Sequence, residues 1–250
     1  MSRPTDPVAA YALGLGDDAL VLAQRMGEWI ASSPELEEDV ALANIGLDLL
    51  GQARALLTYA GAADGRSEDA LAYLRDPSEF RNVQLVERPD DGDFGHCVVR
   101  LLVFSSYQLE LYRRLAESTD ETLAAVAARA VKEVAYHRDH ATQWVLRLGD
   151  GTEESHRRVQ GALEAVWPYV DELFAAEPQI DALPGVAVDP VALRDPVLAH
   201  VREVVARATL SVPDVPPAPG GGRRGEHTEA LATLLAEMQL LGRAMPGLTW

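Results

Sequence analysis

Three polar side chains interrupt an otherwise apolar stretch of the sequence at four-residue intervals. Between Val40 and Leu57 nearly every residue is apolar or small, and Asn44, Asp48 and Gln52 are the main exceptions. Residues four apart share one face of a helix, and buried polar groups need partners. The pattern therefore predicts one of two arrangements inside a helical bundle: a redox metal centre, or a hydrogen-bonded network in its place.

A second candidate metal site lies further along the chain. Glu133, His137 and His140 are spaced i, i+4 and i+7, so a helix would place them on one face as three ligands. The alternative is that His137 only forms a hydrogen bond within the core. Glu28 and Asp48 are further possible carboxylate ligands, but an ion pair at a helix end and a polar network explain them more simply.

Two other motifs match functional patterns only in part. Glu153-x-x-His156 has the spacing of a metal-ligand pair, but it falls in the first turn of a predicted helix, where a capped, solvated turn is favoured. The segment from Gly220 to Gly225, with Arg223 and Arg224, resembles a phosphate-binding loop before a helix. A glycine-rich linker is the favoured interpretation. The sequence contains no nucleophile triad, Walker loop or dinucleotide-binding fingerprint.

Apolar residues at helical spacing predict the elements that position these candidates. The break at Ser32-Ser33-Pro34, with Ser33 as N-cap, predicts an antiparallel pair formed by the first two helices. Loops are expected over residues 79–93 and 177–189, and a flexible or extended connector over 211–225. Helices are predicted over residues 17–31, 34–60, 67–75, about 94–115, 120–149, 152–174 despite Pro168, 190–210, and about 229–245, ended by Pro246-Gly247.

The predicted fold is all-α, a ferritin-like bundle of long helices with extra C-terminal helices. The second helix is about 40 Å long, which is typical of a central bundle helix, and Gly46 and Gly51 within it predict a neighbouring backbone at close range. We expect one domain over residues 1–250, with the core bundle at about 17–175 and a C-terminal extension with docking helices at about 190–250.

Charge and composition exclude several classes of function. The chain has 22 basic and 39 acidic residues, a formal net charge of −17, which disfavours nucleic acid and anionic membranes as partners. Its lone Cys97 excludes an internal disulfide and a cysteine-cluster metal site. The N-terminal residues lack the apolar core of a signal peptide, and Asp48 and Arg54 disfavour a membrane span. We expect a soluble, cytoplasmic protein.

The pattern of a ferritin-like di-iron site is incomplete. Such a site takes one Glu from each of two helices and a Glu-x-x-His from each of the other two. The corresponding positions are Leu49 and Gln52 on the second helix, and Val134 and His137 on the predicted helix 120–149. Leu and Val cannot bind a metal, so we predict no metal site and a polar network in the interior, formed by Asn44, Asp48, Gln52, Ser105, Gln108, Glu133 and His137.

The sequence resembles the C-subunit family of the bacterial phenylacetyl-CoA ring epoxidases, from about Tyr11 to Trp250. The motifs that carry this resemblance are LGDDALVLAQRMGEW, PELEEDVALANIGLDLLGQAR, LRDPSEFRNVQLVERPDDGDF, KEVAYH and GEHTEALATLLAEMQLLGRAMPGLTW. The resemblance implies a non-catalytic, ferritin-like subunit that pairs with a homologous di-iron A subunit. It also implies a small B subunit and a reductase that carries FAD and an iron–sulfur cluster and uses NADPH.

In that family the complex epoxidises the aromatic ring of phenylacetyl-CoA with O₂. Leu49, Gln52 and Val134 depart from the Glu-x-x-His pattern of a di-iron subunit, which agrees with a structural role for this chain. The second helix and the C-terminal helix are expected to contact the partner, and Arg223 and Arg224 to lie near a CoA phosphate or an acidic neighbour. Two alternatives stay open: a metal-dependent oxidase that uses Glu133, His137, His140 and a carboxylate such as Asp48, and a helical scaffold without an enzyme partner.

Overall fold

The protein is built from α-helices joined by short 3-10 turns. The structure is a computed structural model and describes residues 5–177 and 180–245, among which there is no β-strand. This confirms the predicted all-α class. The α-helices are α1 Asp6–Gly27, α2 Leu36–Gly61, α3 Glu68–Tyr73, α4 Phe94–Leu115, α5 Glu121–Gly149, α6 Glu153–Val166, α7 Arg194–Arg207, α8 Glu229–Met238 and α9 Leu240–Ala244.

Side-chain caps fix the start of three of the longer helices. Asp93 accepts a hydrogen bond from the amide of Gly95 at the start of α4, and Asp120 accepts two from the amides that open α5. Thr152 and Ser155 form a complete capping box at the start of α6. Each cap satisfies amides that have no partner within the helix.

Several predicted boundaries were wrong, and three of them have a clear physical reason. Helix α1 begins at Asp6, before the predicted Asp17, because Pro7 suits the first helical turn and the Asp17-Asp18 pair is buried in mid-helix. Helix α2 begins at Leu36 with Glu35, not Ser33, as its N-cap. The predicted helix 152–174 ends at Val166 and continues as two 3-10 turns, because Pro168 has no amide hydrogen to donate.

The contacts of the chain divide it into two compact units, and the first contains α1, α2, α3 and the described residues from Gly220 onwards. Helices α1 and α2 form an antiparallel hairpin. A Cβ atom on Gly16 of α1 would lie 2.9 Å from Cδ2 of Leu57, and one on Gly46 of α2 would lie 3.3 Å from Cβ of Met26. The carbonyl oxygen of Ala23 lies 3.7 Å from the same Cβ position, which confirms the close backbone predicted at Gly46. The prediction was wrong within this chain for Gly51, where a Cβ atom would meet nothing within 4 Å among the described residues.

The second unit contains residues 89–219. Helix α4 is buried along nearly its whole length and packs against α5, α6 and α7. A buried ion pair between Asp90 and Arg100, with a distance of 2.7 Å between Oδ2 and Nη2, holds the segment before α4 against that helix.

The organisation of the chain as one domain stays a prediction. The predicted helix end at Pro246-Gly247, and residues 178–179 of the predicted loop, lie outside the described residues.

Candidate functional site

The four positions that correspond to the Glu-x-x-His motifs are all buried. Leu49 is fully buried and Gln52 nearly so on α2, and Val134 and His137 are fully buried on α5. On both helices, the residue at the Glu position of the motif therefore has a hydrocarbon side chain. Since Leu and Val have no donor atoms, these residues do not fit a di-iron centre of the Glu-x-x-His type.

The other residues of the predicted polar network differ in their surroundings. Ser105 and Gln108 are buried on α4 and bond within that helix: Ser105 Oγ donates to the carbonyl oxygen of Leu101 at 2.6 Å, and Gln108 Nε2 donates to Tyr112 Oη at 3.4 Å. Asp48 is only half-buried. The interior network as a whole stays a prediction.

The prediction was wrong for Asn44, which is exposed. The physical reason is that α2 buries the side that carries Ile45, Leu49 and Gln52. Asn44 directly precedes Ile45 and therefore lies about 100° around the helix from it, outside the buried face, so the apolar composition of α2 misled the assignment of that face.

The remaining candidate ligands also do not assemble into a metal site. Glu133 is half-buried and its Oε1 lies 3.6 Å from Nε of the exposed Arg129, while His137 is fully buried on the same helix. His140 is half-buried. Within residues 5–177 and 180–245, no group of three His, Cys, Asp or Glu side chains is arranged to hold a metal ion.

Glu28 and His156 have the structural roles that the sequence favoured. Glu28 Oε1 lies 2.7 Å from Nη1 of Arg25 at the C-terminal end of α1. His156 Nδ1 is 2.7 Å from the carbonyl oxygen of Gly149, in the capped first turns of α6. The motif Glu153-x-x-His156 is therefore a helix start.

The glycine-rich segment before α8 is packed within the first unit, so the linker interpretation was wrong for residues 220–225. Gly220, Gly221 and Gly222 are buried. Gly225 has a φ of +84°, and a Cβ atom there would lie 2.3 Å from the carbonyl oxygen of Ser78. Only glycine suits both this backbone conformation and this close approach.

Arg223 is held by acceptors of its own chain. Its Nη2 donates to Oδ2 of Asp18 at 2.7 Å, and its Nη1 donates to the carbonyl oxygens of Gly14 and Arg81 at 2.8 and 2.7 Å. Arg224 is exposed, with Nη2 3.0 Å from Oε2 of Glu226. The acidic neighbour of Arg223 is therefore a buried carboxylate of α1.

Two adjacent buried carboxylates on α1 organise the first unit. Asp17 accepts hydrogen bonds from the guanidinium of Arg75, one of them from Nη1 at 2.9 Å, and from the amide of Arg81 at 2.8 Å. Asp18 pairs with Arg223 and accepts from the amide of Val83 at 2.8 Å. Burial raises the pKa of Asp18 to about 6, and the bonds from Arg223 and Val83 oppose that rise.

A second buried cluster holds the start of α8. Glu87 is fully buried, and its carboxylate lies 2.6 Å from His227 Nδ1 and accepts hydrogen bonds from the amide and hydroxyl of Thr228 and from Asn82. His227 Nε2 is 2.9 Å from the carbonyl oxygen of Phe80. These contacts fix the C-terminal helices to the 80–88 segment.

Sequence reasoning missed both charged clusters. The signal for Asp17 and Asp18 was two consecutive acids inside an apolar periodic pattern, a pattern that also fits a helix start. The partners of Asp18 and Glu87, namely Arg223 and His227, are more than 130 residues away along the chain. Helical periodicity contains no information about such distant pairs.

The outward face of α2 is apolar. Leu36, Val40, Leu47 and Leu50 are exposed on it. The apolar composition of α2 is typical of a helix buried on every side, but α2 is buried on one side only. By length and composition, α2 is also the one helix among the described residues that could cross a membrane. A core helix of a water-soluble protein passes the same test.

Comparisons with known proteins agree with this structure. The chain matches the family described as "Phenylacetic acid catabolic protein" over residues 2–250. It is 46% identical over 246 residues to the C subunit of the 1,2-phenylacetyl-CoA epoxidase of Escherichia coli (strain K12), covering 97% of this chain and 99% of that protein.

The fold is similar to that of a protein with aldehyde deformylating oxidase activity from Synechococcus, with a TM-score of 0.57 and 17% identity over 84% of this chain and 94% of that chain. This likeness confirms the predicted ferritin-like helical fold. Because the family match spans residues 2–250 and the Escherichia coli relative is 46% identical, the chain belongs to the phenylacetic acid catabolic protein family.

Proposed function

We propose that the chain is the non-catalytic subunit of a phenylacetyl-CoA epoxidase complex that acts in phenylacetate degradation. The name of the Escherichia coli relative, which is the C subunit of 1,2-phenylacetyl-CoA epoxidase, supports this complex. The observation that carries the non-catalytic role is the burial of Leu49 and Val134 at the positions where the Glu-x-x-His motif requires carboxylates.

In this proposal the chain pairs with a homologous A subunit that retains the Glu-x-x-His ligands. The di-iron centre of that subunit supplies the oxygen chemistry, and a small B subunit and a reductase with FAD and an iron–sulfur cluster complete an NADPH-dependent system. A cytoplasmic location follows from these partners.

The contribution of this chain is a rigid helical surface. Buried carboxylates without cations are costly to desolvate, so hydrocarbon side chains at 49 and 134 let the interior pack without a metal. Two buried charged clusters then fix the C-terminal helices, whose Leu240 and Leu241 are exposed. We expect α2 and these C-terminal helices to contact the A subunit.

Co-expression with and without a homologue that contains Glu-x-x-His tests this function. The iron content and the NADPH- and O₂-dependent epoxidation of phenylacetyl-CoA are measured for each chain alone and for the pair, with the reductase supplied. We expect the two chains to co-purify, iron to follow the homologue, and turnover to require both.

Stoichiometric iron or manganese in this chain alone, with turnover, would instead support a metal-dependent oxidase. Failure to co-purify with the homologue would favour a helical scaffold without an enzyme partner.

A further inference from the structure

The exposed apolar residues of α2 form a narrow stripe with a regular repeat. Leu36, Val40, Leu47 and Leu50 are 76%, 55%, 64% and 38% exposed, and the half-buried Ala43 lies between them. Their spacings are four, three, four and three residues. The stripe is about 20 Å long and lies outside the buried face of α2 that carries Ile45, Leu49 and Gln52. Scattered exposed apolar residues are common, but a continuous stripe of this kind marks an interaction surface.

The repeat indicates the shape of what covers this stripe. Alternating spacings of three and four give a mean period of 3.5 residues, the seam along which two long helices pack side by side at a shallow angle. Gly51 borders the seam, and a Cβ atom there would have no atom of the described chain within 4 Å. Since a glycine inside a helix costs about 1 kcal/mol relative to alanine, close approach of a partner helix accounts for its presence.

The charges around the stripe disfavour a second copy of this chain. Residues 35–54 carry Glu35, Glu37, Glu38, Asp39 and Asp48 against the single base Arg54. Arg54 is already paired with Glu68, with 2.8 Å between Nη2 and Oε1. In a parallel pair of copies, the acidic residues 35–39 of one copy would lie beside those of the other. In an antiparallel pair, they would lie beside Asp48 of the other copy and its Arg54, whose charge is already neutralised by Glu68. Both arrangements bring like charges together.

From this geometry and charge we infer that the α2 stripe is the docking seam for one long helix of a different chain. That helix has apolar residues at a 3.5-residue period and Lys or Arg residues that lie beside Glu37 and Asp39. The inference rests on the proposed function for the identity of that chain, the homologous A subunit.

The test is a Leu47→Glu variant, co-expressed with the Glu-x-x-His homologue. Leu47 is largely exposed, so its replacement leaves the fold of the chain intact, and thermal unfolding checks this. Val191→Glu is the matched control, because Val191 is also exposed (49%) but lies outside α2. We expect Leu47→Glu to weaken association by about 30-fold or more, as for a residue at the centre of an interface, and Val191→Glu to have no effect.

Glu37→Lys provides an independent test of the charge argument. It should slow association with the homologue, and the dependence of the association rate on salt should become weaker. Light scattering of the isolated chain should give the mass of a monomer for both the wild-type chain and Leu47→Glu.

The outcomes separate this inference from the proposed function. If the wild-type chains do not co-purify, both are wrong. If they co-purify and Leu47→Glu still binds as tightly as Val191→Glu, only the docking seam is wrong. A wild-type dimer that Leu47→Glu converts to a monomer would assign the stripe to a second copy. Binding of the isolated chain to phosphatidylcholine vesicles that Leu47→Glu abolishes would assign it to lipid. Either result overturns the inference.

Discussion

Two hydrocarbon side chains occupy the positions where a Glu-x-x-His motif would place its carboxylates. Leu49 and Val134 are fully buried, and their types alone predicted from the sequence that the di-iron pattern is incomplete. The surroundings of Asn44 were not predictable in this way. Apolar residues lie on both the buried and the exposed face of α2, so the sequence pattern did not distinguish one face from the other.

Replacing Leu49 tests whether its site tolerates a carboxylate. We expect Leu49→Glu to lower the free energy of unfolding by several kcal/mol, because an unpaired charge would be buried. Leu49→Met, which keeps the side chain apolar and similar in volume, should cost less than about 1.5 kcal/mol. Urea denaturation of the purified chain measures both. Equal stability of Leu49→Glu and Leu49→Met would mean that the site is polar or binds a cation.

The buried Asp18 predicts how stability changes with pH. Its pKa is about 6 in the folded chain, raised from 3.8 by burial, so the folded state holds this proton more tightly than the unfolded state. The free energy of unfolding should therefore fall as pH rises from about 4 to about 6, with a contribution on the order of 2–3 kcal/mol from this group.

An Asp18→Asn variant cannot titrate at this position, so its stability should lack that part of the pH dependence. Urea denaturation at a series of pH values between 4 and 7 measures the effect. Asp69→Asn, at an exposed carboxylate, should keep the slope of the wild-type chain. An Asp18→Asn variant with an unchanged slope would contradict the assignment.

At the scale of elements, the sequence indicated most of the helices but not how the C-terminal segment is held. Capping residues such as Asp120 and stop signals such as Gly149 are local, so helix ends near them were predictable. The packing of residues 220–225 depends on distant partners, chiefly Asp18 and Ser78. A glycine-rich composition fits a flexible linker and a tightly packed turn equally well.

Two glycine substitutions test whether this segment is packed. Gly65 and Gly225 have similar backbone conformations, with φ values of +87° and +84°. A Cβ atom on Gly65 meets nothing within 4 Å in the described part of the chain, whereas one on Gly225 would overlap the carbonyl oxygen of Ser78. Gly65→Ala should cost about 1–2 kcal/mol from its backbone conformation alone.

Gly225→Ala should lower the free energy of unfolding by clearly more than this. It should also speed amide hydrogen exchange in α8, because the segment that leads into that helix would be displaced. Equal effects of the two substitutions would show that residues 220–225 are not packed as described.

The molecule as a whole is a ferritin-like chain that lacks the carboxylates of the Glu-x-x-His motif at positions 49 and 134 and has an apolar exposed face on α2. The incomplete ligand pattern was visible in the sequence. The exposed stripe on α2 was not, because helical periodicity shows that a face is apolar but does not show whether it meets the core or a partner. That distinction required the burial of each residue in the folded chain.

The most direct test of the non-catalytic role is the iron content of the purified complex, compared with that of each chain alone. We predict about two irons per pair of chains, no stoichiometric iron in this chain alone, and loss of the iron when a Glu of the homologue's Glu-x-x-His motif is changed to Ala. Two irons bound by this chain in the absence of its partner would contradict the account.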